Sequence, residues 1–470
     1  MALKVSVSGV RGTLGTSKDI TGDFTPDVLV GFVNGYAKFI KERHASQKAS
    51  VGVRPKVVIG RDGRISGPVV SQFVAATLQF NGIDVIDVDL STTPTVEMAV
   101  VRHKAQGGIV LSASHNPENW NALKLLNEKG EFISAEAGDA IKHSYETGDF
   151  HFPNSSGLGS FKRSHDDIQY HIEQTLNLPL VNVEAIKKAG FHVVVDCINS
   201  TGSISIPSLL DELGVTYDLL FDDCSGKFAH VAEPLPKNLG VLAKAVATSK
   251  ADLGIAVDPD VDRLVLISED GRMFGEEYTL VAVADYILSH NAGPVVSNLS
   301  SSRALKDIAD RYDQPYAAGA VGEVNVVNKM REIGAVLGGE GNGGIIYPAL
   351  HYGRDSIVGI ALVLSHLAES GKKASEIRAS YPNYTIVKEK LPLPDPSVEK
   401  KVLDYVTKAY AKEEVDLTDG VKVNMAEGWV HLRASNTEPI IRVIAESHDE
   451  ASAKTLAANA MDIMKEALKA

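Results

Sequence analysis

The sequence predicts an α/β protein made of three related mixed α/β domains and a smaller C-terminal α+β domain. Short apolar runs rich in β-branched residues alternate with amphipathic helical stretches through most of the chain. This alternation is typical of parallel α/β units. In the last part of the chain, strand-like runs follow one another before a closing helix, as in a separate α+β domain. The length of 470 residues is enough for about three or four domains.

Three segments share one order of elements: a short strand, a polar or glycine-rich loop, a helix and a further strand. They begin with KVVIGRDGRISG (56–67), HVVVDCINSTGS (192–203) and PVVSNLSSSRALKDIADRY (294–312). Because their spacing is irregular, they indicate related domains and not a solenoid, whose repeats have a fixed period.

The C-terminal part begins after a polar, proline-bearing stretch at 379–396. A helix follows, then the strand-like runs VKVNM, WVHLR and PIIRVIAE, and a closing helix at about 449–468. A Gly/Ser/Pro-rich connector at 151–160 marks the first boundary. The predicted domains are 1–156, 157–268, 269–380 and 381–470.

Composition, net charge and cysteine content argue against several classes of function. Hydrophobic residues make up 44% and charged residues 23%, as in ordinary globular proteins, and the net charge is -13. This charge disfavours nucleic-acid and anionic-membrane partners, although a locally basic site for an anionic small molecule remains compatible with it. Cys197 and Cys224 are too few for a disulfide framework and match no metal spacing. Since no signal-peptide or membrane-spanning pattern is found, we expect a cytoplasmic protein. The oligomeric state stays open.

The first chemical motif is GGIVLSASHNPENWNALKLL (107–126). A predicted strand ends just before Ser114 and His115, and ligands of open α/β sheets bind at strand ends. Lys124 could return a cationic or proton-transferring group to the serine. The alternative is a helix-capping or turn serine. A hydrolase elbow is excluded because Gly-x-Ser-x-Gly is absent. A Ser–His relay is not expected, since neighbouring side chains diverge on an extended chain.

The second motif, ADLGIAVDPDVDRLVLISED (251–270), contains Asp258, Asp260 and Asp262. On extended backbone these three carboxylates face one side and repel one another unless a cation lies among them. All-oxygen ligands suit magnesium or calcium. An EF-hand is disfavoured, because Arg263 stands where the turn glycine is required and a strand-like run follows. A solvated acidic loop is the remaining alternative.

The third motif, VLGGEGNGGIIYP (336–348), offers Glu340 and Asn342 in a loop of small residues. This composition suits hydroxyl recognition at close approach of the backbone. A flexible glycine turn is the alternative. A dinucleotide-binding fingerprint is excluded, since no helix follows the glycines.

The fourth motif is HLRASNTEPIIRV (431–443). Arg433, Ser435, Asn436 and Thr437 supply a guanidinium, two hydroxyls, an amide and backbone N–H groups, a combination that fits phosphate oxygens. A polar hairpin without a ligand is the alternative. No P-loop occurs, which disfavours an NTP-dependent kinase.

Taken in order, the four motifs make the sequence resemble the α-D-phosphohexomutase superfamily over essentially its full length. Further matches are SGVRG (8–12), GRDGRISG (60–67), STTPTVEMAV (91–100) and EPLPKNL (233–239). The resemblance implies an intramolecular phosphotransferase, an isomerase of phosphosugars, whose four domains surround a central cleft. It also implies Mg²⁺ as cofactor and a hexose bisphosphate as activator and intermediate.

The resemblance implies roles residue by residue. Ser114 is similar to the phosphoserine that gives and retakes the phosphoryl group. The implied magnesium ligands are Asp258, Asp260 and Asp262 with a phosphoserine oxygen of Ser114. The implied catalytic neighbours are His115, Lys124, Arg263 and Arg11, with Lys124 a candidate acid or base. Glu340 and Asn342 resemble the pair that binds sugar hydroxyls, and Arg433, Ser435, Asn436 and Thr437 resemble the clamp on the phosphate that is not transferred.

The sugar loop departs from the pattern GEQSGH or GEMSGH of many bacterial members. Asn342 replaces serine, and Gly344 stands where the histidine would be, so no histidine role is transferred to this chain. With HYGRDSIVG (351–359), this variant looks most like phosphoglucosamine mutases, which interconvert glucosamine 6-phosphate and glucosamine 1-phosphate. The alternatives are a phosphomannomutase/phosphoglucomutase, a sugar phosphatase and a non-catalytic sugar-phosphate binding protein.

Overall fold

The computed structural model describes residues 4–6, 9–15, 22–46, 53–434 and 439–469. The chain forms two compact units. The first comprises Met1–Thr279 and Gly343–Glu376, and the second comprises Leu280–Asn342 and Ile377–Ala470. Both units combine helices with sheets, as the sequence predicts.

A seven-stranded mixed sheet opens the first unit, in the order β1-β2-β6-β5-β3-β4-β7. Its strands are β1 (Lys4–Ser6), β2 (Gly9–Thr13), β3 (Lys56–Arg61), β4 (Asp84–Leu90), β5 (Gly107–Leu111), β6 (Trp120–Leu126) and β7 (Phe161–Arg163). Its helices are α1 (Pro26–Ser46), α2 (Gly67–Phe80), α3 (Thr93–Arg102) and α4 (Ala135–Thr147). Strands β5, β3, β4 and β7 are parallel, and the others pair antiparallel. The consecutive residues Val58 and Ile59 of β3 point to opposite faces of the sheet and belong to two different core clusters, because helices cover both faces.

A four-stranded sheet follows, in the order β11-β10-β8-β9. Its strands are β8 (His192–Asp196), β9 (Thr216–Leu220), β10 (Leu253–Val257) and β11 (Leu264–Ser268), with helices α5 (Asp167–Leu176), α6 (Val183–Ala189), α7 (Gly202–Glu212) and α8 (Gly240–Ser249). Strands β10 and β11 form an antiparallel pair in which Val257 lies opposite Leu264. The residues between these two strands carry the aspartates of the second motif.

Helix α9 (Glu276–His290) leads into a parallel group of strands in the second unit, β12 (Val295–Asn298), β13 (Tyr316–Gly319) and β14 (Leu337–Glu340), with β12 in the middle. Helices α10 (Ala304–Arg311) and α11 (Glu323–Ile333) accompany it. The chain then enters the first unit again with β15 (Gly344–Ile346) and α12 (Ser356–Ser370), before α13 (Ala374–Ala379).

The C-terminal sheet has five antiparallel strands in the order β16-β20-β19-β18-β17. These are β16 (Thr385–Pro392), β17 (Glu414–Asp416), β18 (Val421–Asn424), β19 (Gly428–Ala434) and β20 (Ile440–Ser447), accompanied by α14 (Glu399–Ala409) and the closing helix α15 (Glu450–Lys469). One apolar cluster joins the sheet to both helices, with Val402, Val430, Val443 and Met464 among its members.

Two features differ from the sequence prediction. Strand β16 lies in the stretch that was expected to be a connector, and β7 lies beyond the predicted boundary at 156 but pairs with β4 of the first sheet. The four domain ranges stay a prediction. No helix in the described ranges is long and apolar enough to cross a membrane.

Candidate active site

The serine loop leaves strand β5 through an unusual backbone conformation. Ser114 has a φ of 49°, in the left-handed region that non-glycine residues rarely adopt. Its backbone N–H donates to Ser112 Oγ at 2.9 Å, and only 7% of the residue is exposed. This turn brings His115 Nδ1 to 3.4 Å from Ser114 Oγ. The expectation that these neighbouring side chains diverge was therefore wrong, because it assumed an extended chain.

Arg64, in the GRDGRISG motif, binds the backbone of the serine loop. Its guanidinium is fully buried and ion-pairs through Nε with Asp62 Oδ2 at 3.0 Å. The two terminal nitrogens donate to four backbone carbonyl oxygens of the loop, those of Ser114, Asn116, Pro117 and Trp120. One rigid planar group therefore fixes the backbone on both sides of His115.

The three aspartates lie in a tight turn between β10 and β11, not on extended backbone. Val261 has a φ of 61°, and its N–H donates to the carbonyl oxygen of Asp258 at 3.0 Å. Asp258 Oδ1 accepts from the N–H groups of Asp262 and Arg263 at 3.1 and 3.2 Å. All three carboxylates are fully buried, and each contributes an oxygen to a group whose atoms lie within 4.8 Å of one another.

The serine and the aspartates meet directly. Ser114 Oγ donates to Asp258 Oδ2 at 2.6 Å, although 144 residues separate them. Thr93, at the start of α3, donates through its hydroxyl to Asp260 Oδ2 and through its N–H to the carbonyl oxygen of Asp260. The first and second motifs therefore form one buried site inside the first unit.

Three cationic side chains surround the carboxylates. Lys124 Nζ lies 2.5 Å from Asp260 Oδ2 and 3.2 Å from Asp262 Oδ2. Arg354 Nη2 lies 2.8 Å from Asp262 Oδ2. Arg263 Nε lies 4.0 Å from Asp258 Oδ2. Even so, Oδ1 of Asp260 and Oδ1 of Asp262 are buried acceptors without a hydrogen bond. Two orphaned carboxylate oxygens beside Ser114 fit a hard divalent cation such as magnesium.

The charges of this cluster shift its pKa values in opposite directions. Burial, reinforced by Asp262 and Asp260, raises the pKa of Asp258 well above its ordinary value. Burial would also raise the pKa of Asp262, but Arg354, Lys124 and Arg263 outweigh it and lower that pKa. For Lys124, burial alone lowers the pKa, and the Asp260 and Asp262 carboxylates more than reverse this. Lys124 is therefore held as a cation in this arrangement.

His115 and Arg11 complete the surroundings of the serine. Burial is the main cause that lowers the pKa of His115 to about 3, and the guanidinium groups of Arg263, Arg11 and Arg354 lower it further. The Asp262 carboxylate opposes this shift, but the ring stays neutral beside three guanidinium groups, which favour phosphate oxygens. Arg11 Nη1 approaches Asn116 Oδ1 at 3.4 Å.

The predicted sugar loop lies in the second unit. Glu340, at the end of β14, is 5% exposed, and its Oε1 accepts from Asn298 Nδ2 at 2.8 Å and from Gly322 N at 3.2 Å. Asn342 Nδ2 lies 3.4 Å from Glu340 Oε2. The carboxylate is thus oriented from two sides by donors on other segments.

The fourth motif is only partly described. Arg433 Nε pairs with Asp419 Oδ2 at 2.8 Å, and the same oxygen accepts from Val321 N at 2.9 Å. Val321 precedes Gly322, which donates to Glu340, so the third and fourth motifs are joined through one backbone segment. Ser435, Asn436 and Thr437 lie outside the described residues.

The chain matches known proteins over nearly its whole length. Residues 3–152, 169–271 and 275–384 match the three domains described as phosphoglucomutase/phosphomannomutase, alpha/beta/alpha domains I, II and III, and 388–463 match the C-terminal domain of the same family. A phosphoglucomutase/phosphomannomutase of Thermococcus kodakarensis is 35% identical, with 97% of this chain and 99% of the relative covered. The chain belongs to the α-D-phosphohexomutase superfamily. It is therefore an enzyme of a phosphosugar isomerase family.

Other phosphohexomutases support the same assignment. A probable phosphoglucosamine mutase of Methanopyrus kandleri is 33% identical over 87% of this chain and 90% of that protein. The crystal structure of a phosphoglucomutase/phosphomannomutase family protein from Burkholderia thailandensis has a TM-score of 0.82 and 25% identity, with 99% of this chain and 96% of that chain covered.

In this phosphohexomutase, sequence reasoning missed three residues that contact the site. Arg64 and Thr93 lie in the quoted motifs GRDGRISG and STTPTVEMAV, but neither motif alone reveals which partner its side chain contacts. Arg354 lies in HYGRDSIVG, 92 residues from its partner Asp262. The quoted motif marked this segment, but nothing in it indicated that the arginine side chain contacts an aspartate 92 residues away.

Proposed function

We propose that this phosphohexomutase interconverts glucosamine 6-phosphate and glucosamine 1-phosphate through phospho-Ser114 and a bisphosphate intermediate. The observation that carries the proposal is the 2.6 Å hydrogen bond from Ser114 Oγ to Asp258 inside a buried group of three aspartates. A serine that only caps a turn needs no such neighbours, and a solvated acidic loop would not be fully buried.

Asp258, Asp260 and Asp262, with an oxygen of phospho-Ser114, would hold magnesium. The orphaned Oδ1 atoms of Asp260 and Asp262 support this set. When bound, magnesium neutralises phosphoryl oxygens and lowers the energy of the charged transition state.

The protein side chains position the groups that react. In the first transfer, the bond between phosphorus and Ser114 Oγ breaks while a bond from phosphorus to a sugar hydroxyl oxygen forms. The hydroxyl proton passes to a base of the site, and Ser114 Oγ takes up a proton as it leaves, so that the serine is again a neutral hydroxyl. Lys124, Arg263 and Arg11 carry the positive charge that stabilises the phosphoryl oxygens during this step. The resulting bisphosphate turns around, and its other phosphoryl group returns to Ser114 in the reverse chemistry. The neutral ring of His115 lies 3.4 Å from Oγ and can accept or relay a hydrogen bond there.

Substrate recognition is proposed for the residues of the second unit. Glu340 and Asn342 would bind the sugar, and Arg433, with Ser435, Asn436 and Thr437, would bind the phosphate that is not transferred. The shared segment at Val321 and Gly322 supports a joint role, because it contacts both Asp419 and Glu340.

The choice of glucosamine rests on the GEGNGG loop and on relatives that are named probable phosphoglucosamine mutase. A phosphomannomutase/phosphoglucomutase is the second candidate, favoured by the relative from Thermococcus kodakarensis that carries this name. The same active site would serve either substrate.

The test is a parallel assay of the purified protein with glucosamine, glucose and mannose phosphates, a matching bisphosphate and Mg²⁺. We expect net isomerisation without phosphate release, and phosphate on Ser114 by peptide mass spectrometry. Ser114→Ala should lose nearly all turnover, about 10³-fold or more, because the covalent route is removed. The matched control is Ser156→Ala, which replaces an exposed serine. Chelation of the metal should also stop turnover, and Mg²⁺ should restore it better than Ca²⁺.

Each alternative gives a different result. Release of inorganic phosphate without isomer would identify a phosphatase, and binding without turnover would identify a non-catalytic protein. If Ser114→Ala keeps full mutase activity, the phosphoserine mechanism is wrong.

A further inference from the structure

Arg354 reaches the aspartate turn from a distant segment of the same unit. Its Nη2 donates to Asp262 Oδ2 at 2.8 Å, and 11% of its side chain is exposed. The same oxygen receives Lys124 at 3.2 Å, whereas Asp262 Oδ1 has no hydrogen bond. The guanidinium thus occupies one oxygen of the carboxylate and leaves the other for a different ligand.

The backbone around Arg354 is fixed to the site. Arg354 forms an antiparallel bridge with Ile346 of β15, and Asp355 N donates to Ile345 O at 2.8 Å. Ser356 N donates to the carbonyl oxygen of Val261, inside the aspartate turn, at 3.2 Å. The segment that carries Arg354 is therefore hydrogen-bonded to the loop that carries Asp262.

A buried cluster of histidines and carboxylates lies beneath this segment. Asp355 Oδ2 accepts from His171 Nε2 at 2.8 Å and from His351 Nε2 at 3.2 Å. His351 Nδ1 lies 3.3 Å from Glu97 Oε2, and Glu97 is 2% exposed. Burial alone would lower the pKa of His351, but the Asp355 and Glu97 carboxylates raise it to about 10. His351 is thus an imidazolium held between two buried carboxylates.

The same side chains could be considered as metal ligands, since atoms of His171, His351 and Asp355 lie within 4.8 Å of one another. However, His171 Nδ1 contacts Thr95 Oγ1 at 2.9 Å, so each ring nitrogen of both histidines already faces an oxygen. The cluster is better explained as an anchor, that is, a set of buried contacts that fixes the backbone from His351 to Asp355.

Gly353 connects this anchor to Arg354. A Cβ atom at Gly353 would lie 1.7 Å from Glu97 Oε2 and 2.9 Å from a ring carbon of His351. The Glu97 carboxylate therefore packs directly against the backbone of the residue before Arg354, and only glycine leaves the room for it.

We infer that Arg354 is a positioning residue of the phosphoryl-transfer site, which holds Asp262 Oδ2 so that Oδ1 faces the metal, and that His351 positions Arg354. The inference rests on the proposed function for the identity of the reaction. The physical reason is charge and geometry together. Three carboxylates and a phosphoserine exceed the charge of one divalent cation, and a fixed guanidinium both offsets that excess and prevents Asp262 from rotating.

The decisive experiment separates metal binding from turnover in Arg354→Met. Removing a nearby positive charge should tighten binding of Mn²⁺, measured directly by electron spin resonance, by about tenfold, because the Asp262 carboxylate can still rotate to reach the ion while the repulsion from the guanidinium is lost. The value of kcat should fall about 10- to 100-fold, because Asp262 is no longer held in place. A merely structural loss would weaken metal binding together with activity. Arg354→Lys should keep the wild-type Mn²⁺ affinity and recover part of kcat.

The role of His351 is tested by a double-mutant cycle with Arg354. His351→Gln alone should lower kcat about tenfold, and in the Arg354→Met background it should cause little further loss. Gly353→Ala should resemble His351→Gln, whereas Gly240→Ala, where an added Cβ meets nothing within 4 Å, should behave as wild type. Arg272→Met is the control for Arg354→Met, and His151→Gln is the control for His351→Gln. Their side chains are 80% and 88% exposed.

The inference fails if Arg354→Met keeps kcat within about twofold of wild type, or if its Mn²⁺ binding is unchanged or weaker. It also fails for His351 if the two losses simply multiply. Mn²⁺ binding needs no sugar phosphate, so it tests Arg354 even if the wild-type protein turns over none of the proposed substrates. That second result would count against the proposed function alone.

Discussion

Two residues at the centre of the site adopt backbone conformations that their side chains disfavour. Ser114 and Val261 have φ values of 49° and 61°, and a β-branched residue such as valine is especially rare in this region. Each costs on the order of 1–3 kcal/mol, so the surroundings must hold them. The sequence indicated which side chains matter, but it could not indicate these turns, because both depend on hydrogen bonds from distant segments.

Arg64 is the group that holds the first of these turns, and its replacement tests this. Arg64→Met leaves the fully buried carboxylate of Asp62 unpaired and removes the donors to four loop carbonyls. We expect the free energy of unfolding to fall by about 3–5 kcal/mol, as when one partner of a buried ion pair is removed. Urea unfolding followed by circular dichroism measures it.

A second change separates the effect of the unpaired charge on Asp62 from the effect of the lost contacts to the loop. Adding Asp62→Asn to Arg64→Met removes the unpaired charge and should recover part of the stability, but phosphorylation of Ser114 should stay slow because the loop is still unsupported. The exposed Arg272→Met change is the control and should have little effect on either measurement. Wild-type phosphorylation in the double variant would mean that Arg64 does not position the serine.

Among the elements, those with strong periodic or β-branched patterns were predictable. Strands β3, β8 and β10 are apolar runs buried on both faces. The residues after the aspartates form strand β11, as predicted, and not the helix that follows a calcium loop. Strand β16 was not predictable, since its residues Lys388, Glu389 and Lys390 are exposed and polar. It exists because the edge of the C-terminal sheet, β20, offers it a full antiparallel register.

The segment before α12 provides a prediction on pH. The folded-state pKa of His351, about 10, lies above the ordinary value of 6.5. The imidazolium therefore stabilises the fold fully below pH 6.5, and this contribution is lost as the pH rises toward 10. Its upper bound is about 5 kcal/mol, since each pKa unit corresponds to about 1.4 kcal/mol.

The measurement is urea unfolding of wild type and His351→Gln between pH 6.5 and 10. The difference between their free energies of unfolding should shrink steadily as the pH rises. His151→Gln, at an exposed ring, should show no such trend and corrects for other titrating groups. A difference that is constant with pH would mean that His351 is neutral in the folded protein.

At the scale of the whole molecule, the sequence predicted the family and the types of residue, but not the contacts that join them. Ser114 and Asp258 could be linked only through the resemblance, and Arg354 and Asp262 could not be linked at all. Such pairs combine segments that fold far apart along the chain. Their side chains carry no local pattern that distinguishes them from surface ion pairs.

Substrate choice is the prediction that depends on the complete enzyme. Glu340 can accept hydrogen bonds from sugar hydroxyls and can also pair with a protonated 2-amino group, and Asn298 and Gly322 already orient it. We therefore predict that glucosamine phosphate is preferred over glucose phosphate by about one to two orders of magnitude in kcat/KM. Parallel kinetics on glucosamine, glucose and mannose phosphates measure the preference.

Two variants of the sugar loop then test its cause. Glu340→Gln keeps the shape of the side chain but removes its charge, so the preference for the amino sugar should narrow toward equality while turnover of glucose phosphate changes little. Asn342→Ala should lower turnover of every hexose, because the hydroxyl contacts are shared among them. Glu332→Gln, at a side chain that is 64% exposed in the same unit, is the matched control. If the wild-type protein turns over mannose or glucose phosphate faster than glucosamine phosphate, the substrate assignment is wrong, but a mutase mechanism through Ser114 would be unaffected, because it does not depend on the group at the second carbon of the sugar.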